Sequence, residues 1–223
     1  MVSKVLLVFG AVIFIMAGYF MWQQRSNTAV YTDFALEWKQ MPDFTNDYRI
    51  TALKTDGART VLIESVVQNP PLNAVRPFPE LRKVGEVSGK MIFATTLGKD
   101  LYVPDYYLFD ANKRTITSLK TVNDGVTYKP KESPDGLHVV DINFDENILF
   151  LFDLINDSSR ELAVLGAGET FAQDYKGMAC LGTIPITWMD QTTLKYNVYK
   201  AGTASQKTCE GENEFLRTVT VKI

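Results

Sequence analysis

The sequence predicts a mainly β protein, with one amino-terminal transmembrane helix followed by an all-β domain. Val5–Trp22 is an uncharged apolar run of 18 residues, and the remainder carries short runs rich in Val, Ile, Thr, Tyr and Phe between turn residues. With 46% hydrophobic and 22% charged residues, the chain of 223 residues has the composition of a globular protein. Disorder along the whole chain is therefore excluded.

The apolar run Val5–Trp22 has the length of a membrane-spanning helix. At about 1.5 Å per residue it extends over roughly 27 Å, close to the hydrocarbon core of about 30 Å. It ends in bulky residues without a small-residue cleavage site, so the sequence predicts an uncleaved anchor with the lipid bilayer as a partner. The residues assigned to the anchor include Val5, Phe9, Ile13, Tyr19 and Trp22.

The anchor divides the chain into four segments and sets the expected localisation. A short amino-terminal tail is easily left in the cytoplasm, so we expect a single-pass membrane protein with its carboxyl-terminal domain outside. A homodimer through the helix is an alternative, since Gly10 and Ala17 lie seven residues apart. The predicted boundaries are 1–4 for the tail, 5–22 for the anchor, 23–50 for a juxtamembrane segment with a short helix near Phe34–Gln40, and 51–223 for the extracytoplasmic all-β domain.

Two cysteines and one histidine limit the chemistry of the chain. Cys180 and Cys209 both lie in the predicted outer domain, where an even count favours a disulfide; two unrelated buried thiols are the alternative. The common Cys/His zinc sites are excluded, and the acidic residues from Asp141 to Asp157 predict a solvated sheet edge without a calcium loop. No metal or cofactor is expected, and a net charge of −3 leaves no broad basic surface for nucleic acid.

Strands are predicted along most of the carboxyl-terminal domain. The alternation in Leu194–Tyr199 predicts that Leu194, Tyr196 and Val198 share one face. The predicted strands are Thr60–Val67, Met91–Thr95, Tyr106–Phe109, His138–Phe144, Asn147–Leu154, Glu161–Leu165, Leu194–Tyr199 and Leu216–Ile223.

An internal repeat with a spacing of 43 residues occupies the middle of the chain. Tyr107–Asp110 and Phe150–Asp153 each combine an aromatic residue, Leu, Phe and Asp, and each precedes a polar turn. We therefore predict a strand, a hairpin and a second strand for each copy. Asp110 and Asp153 are expected to bond the backbone amides of their turns.

Two further turns precede predicted strands. Ser133-Pro134-Asp135-Gly136 leads into the strand at His138, and Trp188-Met189-Asp190-Gln191 leads into the strand at Leu194. With Asp153, these motifs make roughly residues 100–200 resemble a β-propeller repeat of the TolB type, although Gln191 stands where that pattern has Gly. The resemblance implies propeller-like blades, in an incomplete propeller or a β-sandwich, and a surface for binding without catalysis. An unrelated all-β domain with common turns is the alternative.

Binding to another protein or to a surface polymer is the function that the sequence favours. The enzyme alternative is a cysteine transpeptidase, because Lys207-Thr208-Cys209 and Arg217-Thr218-Val219 loosely resemble the sortase ending, with His138 as the third residue. The flanking residues depart from that family, and a disulfide at Cys209 would remove the nucleophile. An assembly subunit of a membrane complex is the third interpretation.

Overall fold

The computed structural model describes residues 30–40, 46–68, 80–97, 103–125, 130–143, 146–175, 182–183, 185–202 and 211–223. These residues form a mainly β structure of antiparallel sheets, with one short helix among them. The chain divides into two compact units, Met1–Asn69 with Ala111–Arg114 and Pro70–Asp110 with Thr115–Ile223.

The first unit contains a three-stranded antiparallel sheet in sequence order. Its strands are β1 Tyr31–Gln40, β2 Asn46–Lys54 and β3 Arg59–Gln68. Phe34, Tyr48 and Ile50 are buried, as expected for a sheet with one apolar face. The helix predicted near Phe34–Gln40 is wrong, because these residues belong to β1 and pair with β2.

The second unit contains three four-stranded sheets among its described residues. Sheet I consists of β4 Leu81–Val87, β5 Lys90–Thr95, β6 Asp105–Asp110 and β7 Thr115–Ser118, and the helix α1 Lys120–Gly125 follows it. Sheet II consists of β8 Lys131–Glu132, β9 His138–Asn143, β10 Ile148–Asp153 and β11 Ser158–Val164. After these come β12 Glu169–Thr170, then β13 Asp174–Tyr175 paired with β14 Gly182–Thr183, and then β15 Ile186–Trp188, β16 Thr193–Lys200 and β17 Glu214–Lys222. Sheet III consists of β12, β15, β16 and β17.

Sheets I and II are meanders in which each strand pairs with the next one along the chain. In sheet III, β15, β16 and β17 follow one another in the same way. The short strand β12 and β15 pair with opposite ends of β16, and β17 pairs with its full length. Strands β12 and β15 therefore lie along one edge of β16, and β17 lies along the other.

Sheet II is covered on both faces. Val139 belongs to a hydrophobic cluster with Ile92 and Tyr106 of sheet I. Its neighbour Val140 belongs to a second cluster, with Leu194 of sheet III. Because adjacent residues of a strand point to opposite faces, sheet I packs on one face of sheet II and sheet III on the other.

The transmembrane helix of the predicted fold class is corrected by the structure. Among the described residues no helix is long and apolar enough to cross a membrane. Helix α1 has six residues, whereas a span needs about 20, and the rest of the described elements are strands. Over the described residues the fold is therefore mainly β, and this finding does not support the predicted transmembrane helix or the single-pass localisation with an external carboxyl-terminal domain. The anchor positions Val5, Phe9, Ile13, Tyr19 and Trp22 lie outside the described residues.

The predicted strands are confirmed, from Thr60–Val67 in β3 to Leu216–Ile223 in β17. The predicted alternation in β16 is also confirmed, since Leu194, Tyr196 and Val198 are buried together. Strand β7 is the second strand of the hairpin predicted after Tyr107–Asp110. The strands additional to those predicted are β1, β2, β4, β8, β12, β13, β14 and β15.

Candidate functional site

Asp110 and Asp153 end β6 and β10, which are the third strands of sheets I and II. Asp153 Oδ1 accepts hydrogen bonds from the amides of Ile155 (2.9 Å) and Asn156 (3.0 Å), and its Oδ2 accepts one from Asn156 Nδ2 (2.7 Å). Burial acts to raise the pKa of Asp153, but these hydrogen bonds outweigh burial, so its pKa lies below the usual value. The carboxylate therefore holds the hairpin between β10 and β11.

Asp135 and Gly136 form the turn between β8 and β9. Asp135 Oδ1 accepts hydrogen bonds from Ser133 Oγ (2.6 Å) and from the amide of Leu137 (3.1 Å). Gly136 has a φ of +68°, and a Cβ added to it would lie 1.8 Å from the carbonyl oxygen of Val84. Glycine is therefore needed here for its conformation and for the close approach of sheet I.

Asp190 has the same kind of local role between β15 and β16. Its Oδ1 accepts a hydrogen bond from the amide of Thr192 (2.7 Å) and another from Thr192 Oγ1 (3.1 Å). The backbone bond from Thr192 is the main reason that the pKa of Asp190 lies below its usual value. Asp135, Asp153 and Asp190 are thus turn residues, and Oδ1 of each accepts hydrogen bonds from its own turn.

A small pocket of about 180 Å³ lies beside His138 at the end of sheet II. His138 pairs with Asp153 across β9 and β10, and Asp153 pairs with Ser158 across β10 and β11. The carboxylate therefore lies between the imidazole and the hydroxyl, whereas a Ser-His-Asp triad needs the imidazole in the middle. The pocket is also smaller than ordinary ligand clefts of about 300–1,000 Å³.

The residues proposed for a transpeptidase are not brought together in the part of the chain that the structure describes. Arg217 donates hydrogen bonds to both carboxylate oxygens of Glu169, and this pairing raises the pKa of Arg217 and lowers that of Glu169. Arg217 does not line the pocket beside His138. Cys180 and Cys209 lie outside the described residues, so their disulfide stays a prediction. No group of three metal-ligating side chains occurs within the described ranges.

Among the described residues, strand β17 forms a long open edge of sheet III. In the described part of the chain β16 is its only strand neighbour. The corresponding outer places in sheets I and II are occupied by β7 and β11, which pair with β6 and β10. The place beyond β17 therefore corresponds to a fourth strand of the meander.

The hydrogen-bond pattern shows which groups of β17 face outward. The amide of Ile223 donates to the carbonyl oxygen of Thr192 (2.7 Å), so this is a hydrogen-bonded pair of the antiparallel ladder. Such pairs alternate with pairs whose N–H and C=O groups point away from each other. By that alternation, Thr218, Thr220 and Lys222 direct their backbone groups to the open edge.

The side chains of β17 are exposed except for half-buried Val219 and Val221, and the exposed ones include large apolar groups. Phe215 is 54% exposed and Leu216 is 41% exposed. Phe215 contacts Tyr199 with 5.9 Å between ring centroids. The register of β16 and β17 shifts between Val198, which pairs with Arg217, and Tyr199, which pairs with Phe215. The regular part of the edge is therefore Arg217–Lys222. We define this segment, with its outward backbone groups, as the β17 edge.

One sequence feature of the β17 edge was not part of the functional prediction. Thr218-Val219-Thr220-Val221 alternates polar and apolar residues without a charge or a proline. This pattern is typical of a strand, but whether a strand is covered depends on its neighbours.

No family model matches the chain, and no curated protein matches it. Within the described residues, the fold and the site together describe a mainly β structure in which no strand lies beyond β17.

Proposed function

We propose that this protein is an interaction module that binds an extended segment of another protein along the β17 edge. The observation that carries the proposal is the β17 edge itself: among the described residues no strand lies beyond β17, and alternate backbone groups of Arg217–Lys222 point outward. An added strand would satisfy these groups by continuing the sheet, as in other cases of strand addition. Exposed Phe215 and Leu216 would add apolar contacts beside the ladder.

The β17 edge is better suited to strand addition than the outer edges of sheets I and II. Strand β7 has four residues, and β11 carries Arg160 and Glu161 at its centre. Charges in the middle of an edge strand oppose pairing with another chain. Thr218–Val221 has no charge and no proline, so nothing in this stretch blocks an incoming strand.

The repeat supports an architecture of blade-like sheets that display this edge. Asp110 and Asp153 end equivalent strands of two successive four-stranded meanders. The resemblance to TolB-type blades agrees with this arrangement and with a binding function. Of the two partner classes expected from the sequence, a protein is favoured over a surface polymer, because only a polypeptide can continue a backbone ladder.

A proline at Thr220 tests the proposal without breaking the sheet. The amide of Thr220 faces the open edge, so Thr220→Pro removes an outward donor and leaves the ladder with β16 intact. Thr220→Val is the matched control, because it keeps the amide and a β-branched side chain.

Random peptides of about ten residues, displayed on phage, are selected on the natural protein. We expect enriched peptides to bind the Thr220→Val variant and to bind Thr220→Pro at least about tenfold less tightly. Equal binding to both variants, with both folded by circular dichroism, would contradict the proposal, as would the absence of any enriched peptide.

A further inference from the structure

Two lysines mark the solvent side of sheet III beside the β17 edge. Lys195 pairs with Thr220 across β16 and β17, and Lys222 pairs with Thr193, so the two lysines are diagonal neighbours on one face. Both are exposed, and neither forms an ion pair within the described ranges. Lys200, further along β16, is paired with Glu214 at 3.5 Å.

These lysines contrast with the charge of the rest of the protein. The chain has a net charge of −3 and an isoelectric point near 5.3. The two positive charges of Lys195 and Lys222 are therefore a local feature of an acidic protein. Thr220, which lies between Lys195 and the open edge, is short and leaves space above β17 for a longer side chain. A carboxylate on an added strand would then approach Lys222 directly and Lys195 across Thr220.

We infer that the segment bound at the β17 edge is acidic, with Asp or Glu on the face that carries Lys195 and Lys222. The inference rests on the proposed strand addition and adds the chemistry of the partner. A second copy of this chain fits less well, because pairing two β17 strands would bring two Lys222 side chains onto one shared sheet. Like charges on neighbouring strands oppose pairing.

Three synthetic peptides test the inference. Each has about ten residues, alternates Thr with Val, and carries Glu, Gln or Lys at two positions of the Thr face. Binding to the natural protein is measured by fluorescence anisotropy at low and high salt. We expect the Glu peptide to bind about tenfold more tightly than the Gln peptide at low salt, since two exposed ion pairs each contribute a few-fold, and the difference should shrink as salt screens the charges.

Two double variants identify the lysines responsible. Lys195→Gln with Lys222→Gln should remove the preference for the Glu peptide over the Gln peptide. Lys120→Gln with Lys131→Gln changes the net charge equally, at exposed positions of α1 and β8, and should retain the preference. A preference that both double variants lose equally would overturn the inference, because it would come from overall charge.

The remaining outcomes separate the two proposals. If all three peptides bind equally and Thr220→Pro abolishes the binding, the acidic partner is wrong and strand addition stands. If none of the three peptides binds the natural protein, the acidic segment is wrong, and the phage selection decides on strand addition separately. Analytical ultracentrifugation of the protein alone tests whether a second copy occupies the edge. A monomer agrees with the inference. A dimer that Thr220→Pro dissociates would assign the edge to a second copy and overturn the inference.

Discussion

The backbone of Gly136 lies directly against the carbonyl group of Val84, and this contact joins sheet II to sheet I. A Cβ on Gly136 would lie 1.8 Å from the Val84 carbonyl oxygen, and a Cβ on Gly85 would lie 2.6 Å from the carbonyl oxygen of Gly136. Atoms cannot approach so closely without displacement of the backbone. Two glycines from different sheets thus allow the sheets to meet at the turn that precedes β9.

Replacing Gly136 by alanine should therefore destabilise the second unit more than its conformation alone requires. Gly136 and Gly168 both have positive φ, at +68° and +81°, but nothing lies within 4 Å of a Cβ on Gly168. We expect Gly168→Ala to lower the free energy of unfolding by about 1 kcal/mol and Gly136→Ala by more than about 3 kcal/mol. Chemical denaturation of the two variants measures the difference. Equal losses would show that the contact with Val84 is relieved at little cost.

Tyr106 and Glu132 form a second link between sheets I and II. The buried Tyr106 hydroxyl donates to Glu132 Oε1 at 2.8 Å, and Glu132 also accepts two hydrogen bonds from Arg82. Tyr106→Phe should lower the free energy of unfolding by about 1–3 kcal/mol, because it removes a buried bond to a charged group. Tyr107→Phe is the control, since no hydrogen bond of that hydroxyl occurs among the described residues, and its effect should stay within about 0.5 kcal/mol. The unfolding free energies of the two variants are compared. Equal small losses would show that Tyr106 stabilises the protein only through packing of its ring.

The same tyrosine should make stability fall at alkaline pH. Burial, and then the charge of Glu132, raise the pKa of Tyr106 far above its usual value of about 10. A group with a raised pKa in the folded state stabilises fully below its unfolded pKa, and that stabilisation is lost as the pH rises above about 10. We expect the free energy of unfolding to decline by up to about 1.4 kcal/mol per pH unit there for this one group. Tyr106→Phe should make the decline shallower, and an unchanged slope would assign the decline to other groups.

Asp153 should contribute to acid sensitivity in the opposite direction. Its pKa is lowered because hydrogen bonds from Asn156 and Ile155 outweigh burial. The resulting stabilisation is present above the unfolded pKa of about 3.9 and is lost as the pH falls through the lower folded value. Asp153→Asn should therefore be less stable than the natural protein at pH 7 and closer to it at pH 3. Urea denaturation at both values measures the gap, and a constant gap would contradict a role for the ionised carboxylate.

The strands were predictable wherever apolar residues alternate or cluster, and less so where tertiary contacts decide. In β4, Leu81–Val87 mixes charged residues with glycine, and the reasons lie in other sheets: Arg82 binds Glu132, and Gly85 faces Gly136. Asp141 was predicted on a solvated edge, but it is 5% exposed because β9 is an inner strand of sheet II. Both features depend on the order of the strands in the sheets, which no local sequence pattern encodes.

The candidate site shows the same limit. The turn residues Asp135, Gly136 and Asp153 were recognisable from short motifs, because their hydrogen bonds are made within a few residues. The β17 edge could not be recognised in this way. Its Thr-Val alternation predicts a strand, whereas its open side follows from the absence of a further strand beyond β17 among the described residues.

Amide hydrogen exchange along β17, measured residue by residue, tests the central claim most directly. In the free protein, the amides of Arg217, Val219 and Val221 should exchange slowly, because they bond to β16, while those of Thr218, Thr220 and Lys222 exchange fast. When the Glu peptide is bound, the three outward amides should slow to the level of their neighbours, and Lys195→Gln with Lys222→Gln should weaken this protection. Peptide binding that leaves Thr218, Thr220 and Lys222 unprotected would contradict strand addition at the β17 edge.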